Sequence, residues 1–186
     1  MPKVLDLACG TGDSSIALCK SGMNVTGADI AQKMLDIAIL KNDKVNKKYS
    51  PLPDYILASA EELPFENEKF DATTISFGIR NFNNRDKCLQ EIYRVIKPGG
   101  VLAILEFAKP QNSVIRFFYN LYFNNILPFI GKMVSKDKAA YKYLSDSVEA
   151  FPKFDAFCKE IKQAGFKEVG YKKLTFGICV LYTGKK

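Results

Sequence analysis

The 186-residue sequence contains no histidine. That removes every catalytic scheme built on a Ser-His or Cys-His pair, and the usual zinc sites with them. Cysteine is sparse: Cys9, Cys19, Cys88, Cys158 and Cys179 are an odd set. No two of them stand at metal-ligand spacing, and such a set fits a reduced compartment better than a disulfide framework. No apolar run approaches the length that spans a bilayer. The opening MPKVLDLACG enters a strand-like run directly and has neither the charged-then-apolar pattern of a signal peptide nor that of a transit peptide.

Hydrophobic residues make up 47% of the chain and charged residues 25%, which is ordinary globular composition. A chain of this length is expected to form one domain, residues 1–186, with a well-buried core. Lys and Arg total 27 against 20 Asp and Glu, a net charge of +7. Such a surplus permits attraction to nucleic acid or anionic lipid. Part of it is local to Lys41, Lys44, Lys47 and Lys48, a polar stretch that reads as a solvated loop.

Short β-branched runs alternate with helix-like segments. Strands are expected at Lys3–Ala8, Asn24–Asp29, Tyr55–Ser59, Phe70–Phe77 and Val101–Phe107. Helices are expected at Asp13–Ser21, Ala31–Leu40 and Arg85–Ile96, the last closed by Lys97-Pro98-Gly99-Gly100. This alternation predicts a doubly wound, mostly parallel α/β sheet. The last third differs. Val114–Val134 is aromatic-rich, Asp137–Ala150 and Asp155–Ala164 read as helices, and Val169–Leu174 and Ile178–Thr183 read as an antiparallel hairpin at a sheet edge.

A strand, then Gly10-Thr11-Gly12, then a helix is the arrangement of a nucleotide-binding loop. The dinucleotide fingerprint has a third glycine three residues after the second, and here that residue is Ser15. A pyrophosphate ligand is therefore disfavoured. Asp6 lies in the first strand and Asp29 ends the second. In an open α/β sheet, ligands bind outside the carboxyl ends of the strands. An acid at Asp29 suits a ribose diol, and one at Asp6 suits a cationic ligand. S-adenosylmethionine combines both features. The competing reading of Asp29 is an N-cap for the helix that follows.

These segments resemble one family in particular. VLDLACGTGD, GADI, AEELPF, FDATTISFGIRN, YRVIKPGG, LEFAKP and YKYLSDSVEAFP are similar to the ubiquinone/menaquinone biosynthesis C-methyltransferases, from Lys3 to the C-terminus. The resemblance implies a seven-stranded Rossmann-like class I methyltransferase fold with an antiparallel C-terminal hairpin. It also implies methylation of a ring carbon of a polyprenyl benzoquinol or naphthoquinol by S-adenosylmethionine, without a metal. Thr11 matches a cofactor-contacting threonine, Asp29 the ribose-binding acid, Ser59-Ala60 the pair that brackets adenine, and Ser76 a cofactor-contacting serine. Three positions depart from the pattern: Ser59 replaces an Asp or Asn, Phe176 a small residue, and Tyr182 a His. Family members usually carry some tens of residues before the glycine loop, which this chain does not include.

Attack by a quinol carbon is favoured by ionising the neighbouring hydroxyl, whose free pKa is near ~10. Arg80, a permanent cation with a planar fork of donors, is the candidate partner for that oxygen, and Asn81 is a second one. The competing reading makes Arg80 a structural ion pair and Asn81 a helix cap. Phe117, Phe118, Tyr119, Leu121, Tyr122, Phe123, Ile126, Leu127 and Phe129 read as core packing or as a path for a polyprenyl tail. Tyr141, Tyr143 and Ser147 read equally as packing or as pocket lining.

The resemblance also implies transient contact with a membrane surface from the cytoplasmic side, or from the mitochondrial matrix in a eukaryote. It leaves room for a homo-oligomer or a biosynthetic complex. A base-flipping enzyme would place an N-P-P-Y-like motif after the fourth strand. Ser76-Phe77-Gly78-Ile79 stands there instead, so nucleic acid is not expected as a partner. A methyltransferase for another small molecule and a non-catalytic subunit of the same fold remain as alternatives.

Overall fold

The computed structural model describes residues 1–44, 51–113, 115–116 and 138–186. The aromatic run from Phe117 to Phe129 lies outside the described residues, and so does the Tyr141 side chain.

Strands β1 (Lys3–Leu7), β2 (Asn24–Asp29), β3 (Asp54–Leu57), β4 (Phe70–Ser76) and β5 (Ile96–Phe107) are joined by helices α1 (Asp13–Lys20), α2 (Gln32–Asn42) and α3 (Arg85–Val95). Helices α4 (Lys138–Ala150) and α5 (Asp155–Gln163) precede β6 (Lys167–Leu174) and β7 (Cys179–Lys185). The seven strands form one sheet in the order β3-β2-β1-β4-β5-β7-β6. The first five run parallel and β7 is antiparallel to both β5 and β6. The expected doubly wound sheet with a C-terminal hairpin is thus the observed one. Strand order reverses between β2 and β4 across β1, and that switch point opens a crevice at the carboxyl ends of the strands.

Side chains alternate across β1 and feed two apolar clusters. Leu5 and Leu7 join Leu89 and Ile92 of α3, Phe157 and Ile161 of α5, and Ile104 of β5 in the larger core. Val4 joins Cys19 and Val25 in a smaller one beside α1. Arg94 fastens the β3–β4 connection to α3, donating to the carbonyls of Leu63 and Phe65 while pairing with Glu91 at 2.8 Å. The Leu63 amide donates to the same Glu91.

Most element boundaries shift by one or two residues from the sequence expectation, and the start of β5 shifts by five. Ile96 begins β5 rather than ending α3, because Phe70 pairs with it before a bulge carries the register to Ala72 and Val101. Within Lys97-Pro98-Gly99-Gly100 the chain turns through Gly99, at a φ of 78°, and the turn is fastened to Lys186: the Gly99 amide donates to the Lys186 carbonyl, and the Lys186 amide donates to that of Gly100. Proline is tolerated there because a bulge needs no donor from it. At β3 the strand stops at Leu57, since Ser59 turns the chain by accepting from the Glu61 amide and bridging to Glu62.

Candidate active site

The chain leaves β1 through a left-handed path. Ala8, Gly10 and Gly12 have φ of 57°, 54° and 78°. Glycine adopts such angles freely, whereas Ala8 holds one at a cost, which is common beside ligand sites. Gly12 is required a second time: a Cβ there would come within 2.2 Å of the Tyr55 Oη and 2.9 Å of the Ala38 Cβ. Gly12 also caps α1 without a side-chain acceptor, so the amides of the first turn stay available to a ligand.

Asp29 ties this loop to the end of β2. The Gly10 amide donates to its Oδ2 at 2.8 Å, and the Ala31 amide donates to its Oδ1 at 2.9 Å. Each oxygen of a carboxylate accepts more than once, so both remain able to take a hydroxyl. The loop-anchoring and helix-entry contacts orient the group without consuming it. Thr11 is held from α2: Lys41 donates to its Oγ1 at 2.8 Å and also pairs with Asp13 at 2.7 Å.

A cleft of about 490 Å³ opens beside Asp29. Ile30, Ala58, Ser59 and Ala60 line one side, and Asn81 and Phe82 the other. No Lys or Arg lines it among the described residues, whereas Asp29 and Glu61 do. A phosphorylated ligand would meet acids here and no cation. A neutral ribose, an apolar base edge and a positively charged tail fit these groups, so the residues present match S-adenosylmethionine. Among the described residues, no three His, Cys, Asp or Glu side chains are placed to hold a metal ion.

Asp6 does not line the cleft. It is buried beneath the glycine loop, where Ser15 Oγ donates to Oδ2 at 2.5 Å and Thr74 Oγ1 donates to Oδ1 at 3.2 Å. Burial pushes its carboxyl up to about 6, against the lowering effect of those two hydroxyls. Ser15, standing where a dinucleotide loop would have glycine, thus links α1 to β1. Ser76 ends β4 and also lies outside the cleft lining.

Arg80 and Asn81 sit on a single 3-10 turn, Ile79–Asn81, just after β4. The two residues face different neighbours. Asn81 lines the cleft, and Tyr143 of α4 donates to its Oδ1 at 3.0 Å. The Arg80 guanidinium donates to Glu106 Oε1 at 2.6 Å and to the Phe77 carbonyl at 2.5 Å. The Arg80 amide reaches Glu106 Oε2 at 3.4 Å. Glu106 is fully buried, and desolvation raises its carboxyl above the usual range despite the guanidinium. The ion pair held as the alternative for Arg80 is therefore present, while the helix cap belongs to Asn84, whose side chain accepts from the Lys87 amide. Tyr143 is exposed and in contact with Asn81, whereas Ser147 donates to its own helix at Leu144.

All 186 residues match the ubiE/COQ5 methyltransferase family. The chain belongs to that family. It is 40% identical over 186 residues to a Caenorhabditis elegans protein named 2-methoxy-6-polyprenyl-1,4-benzoquinol methylase, mitochondrial, covering 99% of this chain and 65% of the relative. It is 42% identical over 186 residues to the demethylmenaquinone methyltransferase of Chlorobaculum tepidum, covering 100% of this chain and 74% of that one. This ubiE/COQ5 chain thus spans about two thirds to three quarters of the length of these relatives. In fold it is similar to a SAM dependent methyltransferase from Aquifex aeolicus, with a TM-score of 0.70, 18% identity, and coverage of 98% of this chain and 81% of the other.

Within this family member, sequence reading missed Tyr55, Glu106 and Lys41. Tyr55 crosses from β3 over Gly27 to reach the Gly12 carbonyl at 3.5 Å. Glycine at position 27 was the available signal, since an apolar strand has no other need of it. Glu106 could have been suspected as an acid inside a buried apolar run. Nothing near Lys41 in sequence points to Thr11.

Proposed function

We propose that residues 1–186 form one S-adenosylmethionine-dependent domain that C-methylates a polyprenyl quinol, either a demethylmenaquinol or a methoxy-benzoquinol, in menaquinone or ubiquinone biosynthesis. The observation that carries the reading is the pairing of similarity, over nearly all of residues 1–186, to relatives named for those substrates with the Asp29 cleft, which suits an unphosphorylated, cationic nucleoside. When bound, S-adenosylmethionine supplies an electrophilic methyl group.

In this reading Asp29 receives the ribose diol while Gly10 and Ala31 hold the carboxylate in place. Gly10, Thr11 and Gly12 bring backbone close to the cofactor, and Lys41 keeps Thr11 in register. Ser59 and Ala60 border the adenine with Ile30. Asp6 acts from below, fixing the loop through Ser15. Ser76 stays a cofactor contact at the end of β4.

Much of the rate enhancement in an in-line displacement comes from positioning. Asn81 is the cleft residue placed to hold the quinol oxygen, with Tyr143 fixing its amide. Arg80 does not line the cleft; in this reading its cation favours the phenolate from behind Asn81, and Glu106 fixes where that cation sits. Because the pair is nearly neutral as a unit, its effect on the substrate depends on geometry more than on net charge. The polyprenyl tail places the substrate in a bilayer, so the enzyme works at the membrane surface. Among the described residues no helix is long and apolar enough to cross it.

Calorimetric titration with S-adenosylmethionine, followed by methylation of a short-tail quinol, tests the reading. Heat of binding and transfer to ring carbon are expected. Binding without transfer to any quinol would assign the domain to another methyl acceptor.

A further inference from the structure

Two carboxylates line the cleft, Asp29 and Glu61. Asp29 ends β2 and suits the ribose diol. Glu61 follows Ser59 and Ala60 on the wall that borders the base. It is partly buried, and among the described residues no Lys or Arg lines the cleft to neutralise it. A carboxylate that has lost part of its hydration beside an apolar base site must recover it from hydrogen-bond donors.

The turn after β3 decides which side chain can meet such a donor. Ser59 Oγ accepts from the Glu61 amide at 3.2 Å, and the Ser59 carbonyl accepts from the Glu62 amide at 3.2 Å. The Ser59 hydroxyl is thus folded back onto its own turn. Its O–H is a donor, and the exocyclic amine of adenine is a donor as well. The longer Asp or Asn that the family resemblance puts at this position would supply an acceptor instead.

Glu61 has both the reach and the capacity. Its Oε1 accepts from the Asn84 amide at 3.3 Å, and an ionised carboxylate takes about four such contacts. Asn84 caps α3 directly after Asn81, Phe82 and Asn83 of the opposite wall, so the carboxylate is moored between the two walls. Its charge is felt in the lining itself. The Cys88 thiol is pushed up to about 12, by burial first and by Glu61 second. Of the other acceptors, Asn81 Oδ1 already receives the Tyr143 hydroxyl.

We propose that Glu61 is the specificity-determining residue for the nucleobase: its carboxylate accepts the exocyclic amine of adenine, in place of the short and folded-back Ser59. A base without that amine leaves the carboxylate without its donor and is rejected for that reason. The inference rests on the S-adenosylmethionine reading of the cleft and not on the identity of the methyl acceptor.

Calorimetry with S-adenosylhomocysteine and with its 6-deamino analogue, in which purine replaces adenine, isolates the amine. The parent is expected to bind the adenine ligand about ten-fold more tightly, the scale of one hydrogen bond to a charged group. Glu61→Gln keeps an acceptor for the amine and for Asn84, so its melting temperature should hold. A neutral acceptor is about half as strong, and the preference should fall to about three-fold. In Glu61→Ala the two ligands should bind equally, whereas Asn83→Ala should keep the parent's preference. If Glu61 served only to cap the Asn84 amide, Glu61→Ala would weaken both ligands alike and leave their ratio unchanged, which overturns the proposal. A ten-fold preference persisting in Glu61→Gln, or one lost in Asn83→Ala instead, overturns it too. Equal binding of both ligands by the parent removes the Glu61 assignment alone, and no binding of either removes the cofactor reading with it.

Discussion

The Gly10 amide donates to Asp29 Oδ2 across 2.8 Å, and this one bond joins the glycine loop to the end of the neighbouring strand. It makes the proposed diol acceptor and the loop that borders it a single unit. Replacing Asp29 with alanine removes a charged acceptor and releases the loop together. The affinity for S-adenosylmethionine should weaken by about 1.5–3 kcal/mol, the range for hydrogen bonds to a charged group. Calorimetry of Asp29→Ala measures it, and unchanged affinity would remove Asp29 from the site.

Asp6 gives the stability a pH signature. Its carboxyl is raised from 3.8 to about 6 by burial. Between those values the folded state binds more protons than the unfolded one, so this group's contribution falls as pH rises from about 4 to about 6 and is level above. The size is about 3 kcal/mol at one pKa unit per 1.36 kcal/mol. Asp13, Asp71, Glu91 and Glu149 are lowered by lysine or arginine partners and act in the opposite direction. The difference between the parent and Asp6→Asn isolates the Asp6 part. In urea unfolding across this range, that difference should grow in favour of the variant as pH rises.

Arg80 and Glu106 are separable by their effects. Glu106→Ala leaves the guanidinium buried without its partner and should cost about 3–5 kcal/mol of stability. Arg80→Lys keeps a cation but loses the planar fork that serves Phe77 and Glu106 together. Its kcat should fall while the affinity for S-adenosylmethionine holds. A proportional loss of cofactor binding in Arg80→Lys would make the pair purely structural.

Gly27 is the test of the Tyr55 brace. A Cβ there would stand 2.6 Å from Tyr55 Cδ1 and 3.0 Å from Cys9 Sγ. Gly27→Ala should destabilise by about 1–3 kcal/mol, the usual cost of overpacking. If the ring is the obstacle, Gly27→Ala with Tyr55→Ala will be less destabilised than the sum of the two single variants. Strict additivity in that cycle would place the strain elsewhere.

The sheet was legible because its signals are local. β-branched runs, Gly22 after α1 and the Thr175–Gly177 turn each announce themselves within a few residues. The position of Asp29, an acid ending β2 next to a glycine loop, was legible for the same reason. Glu106 was not, because its partner lies 26 residues away and its meaning comes from pairing across the sheet. Asp6 was read as facing the ligand, but the hydroxyls of Ser15 and Thr74, from two other elements, draw it under the loop. The start of β5 was displaced because Ile96 pairs with Phe70 of β4 ahead of the turn at Pro98-Gly99-Gly100, a partner 26 residues away in sequence.

The most direct measurement is mass spectrometry of a short-tail demethylated quinol incubated with the chain and S-adenosylmethionine. The account predicts a product carrying one added methyl on a ring carbon, lost in Asp29→Ala at limiting cofactor. A chain that binds the cofactor yet leaves the quinol unchanged, or methylates its oxygen, would contradict it.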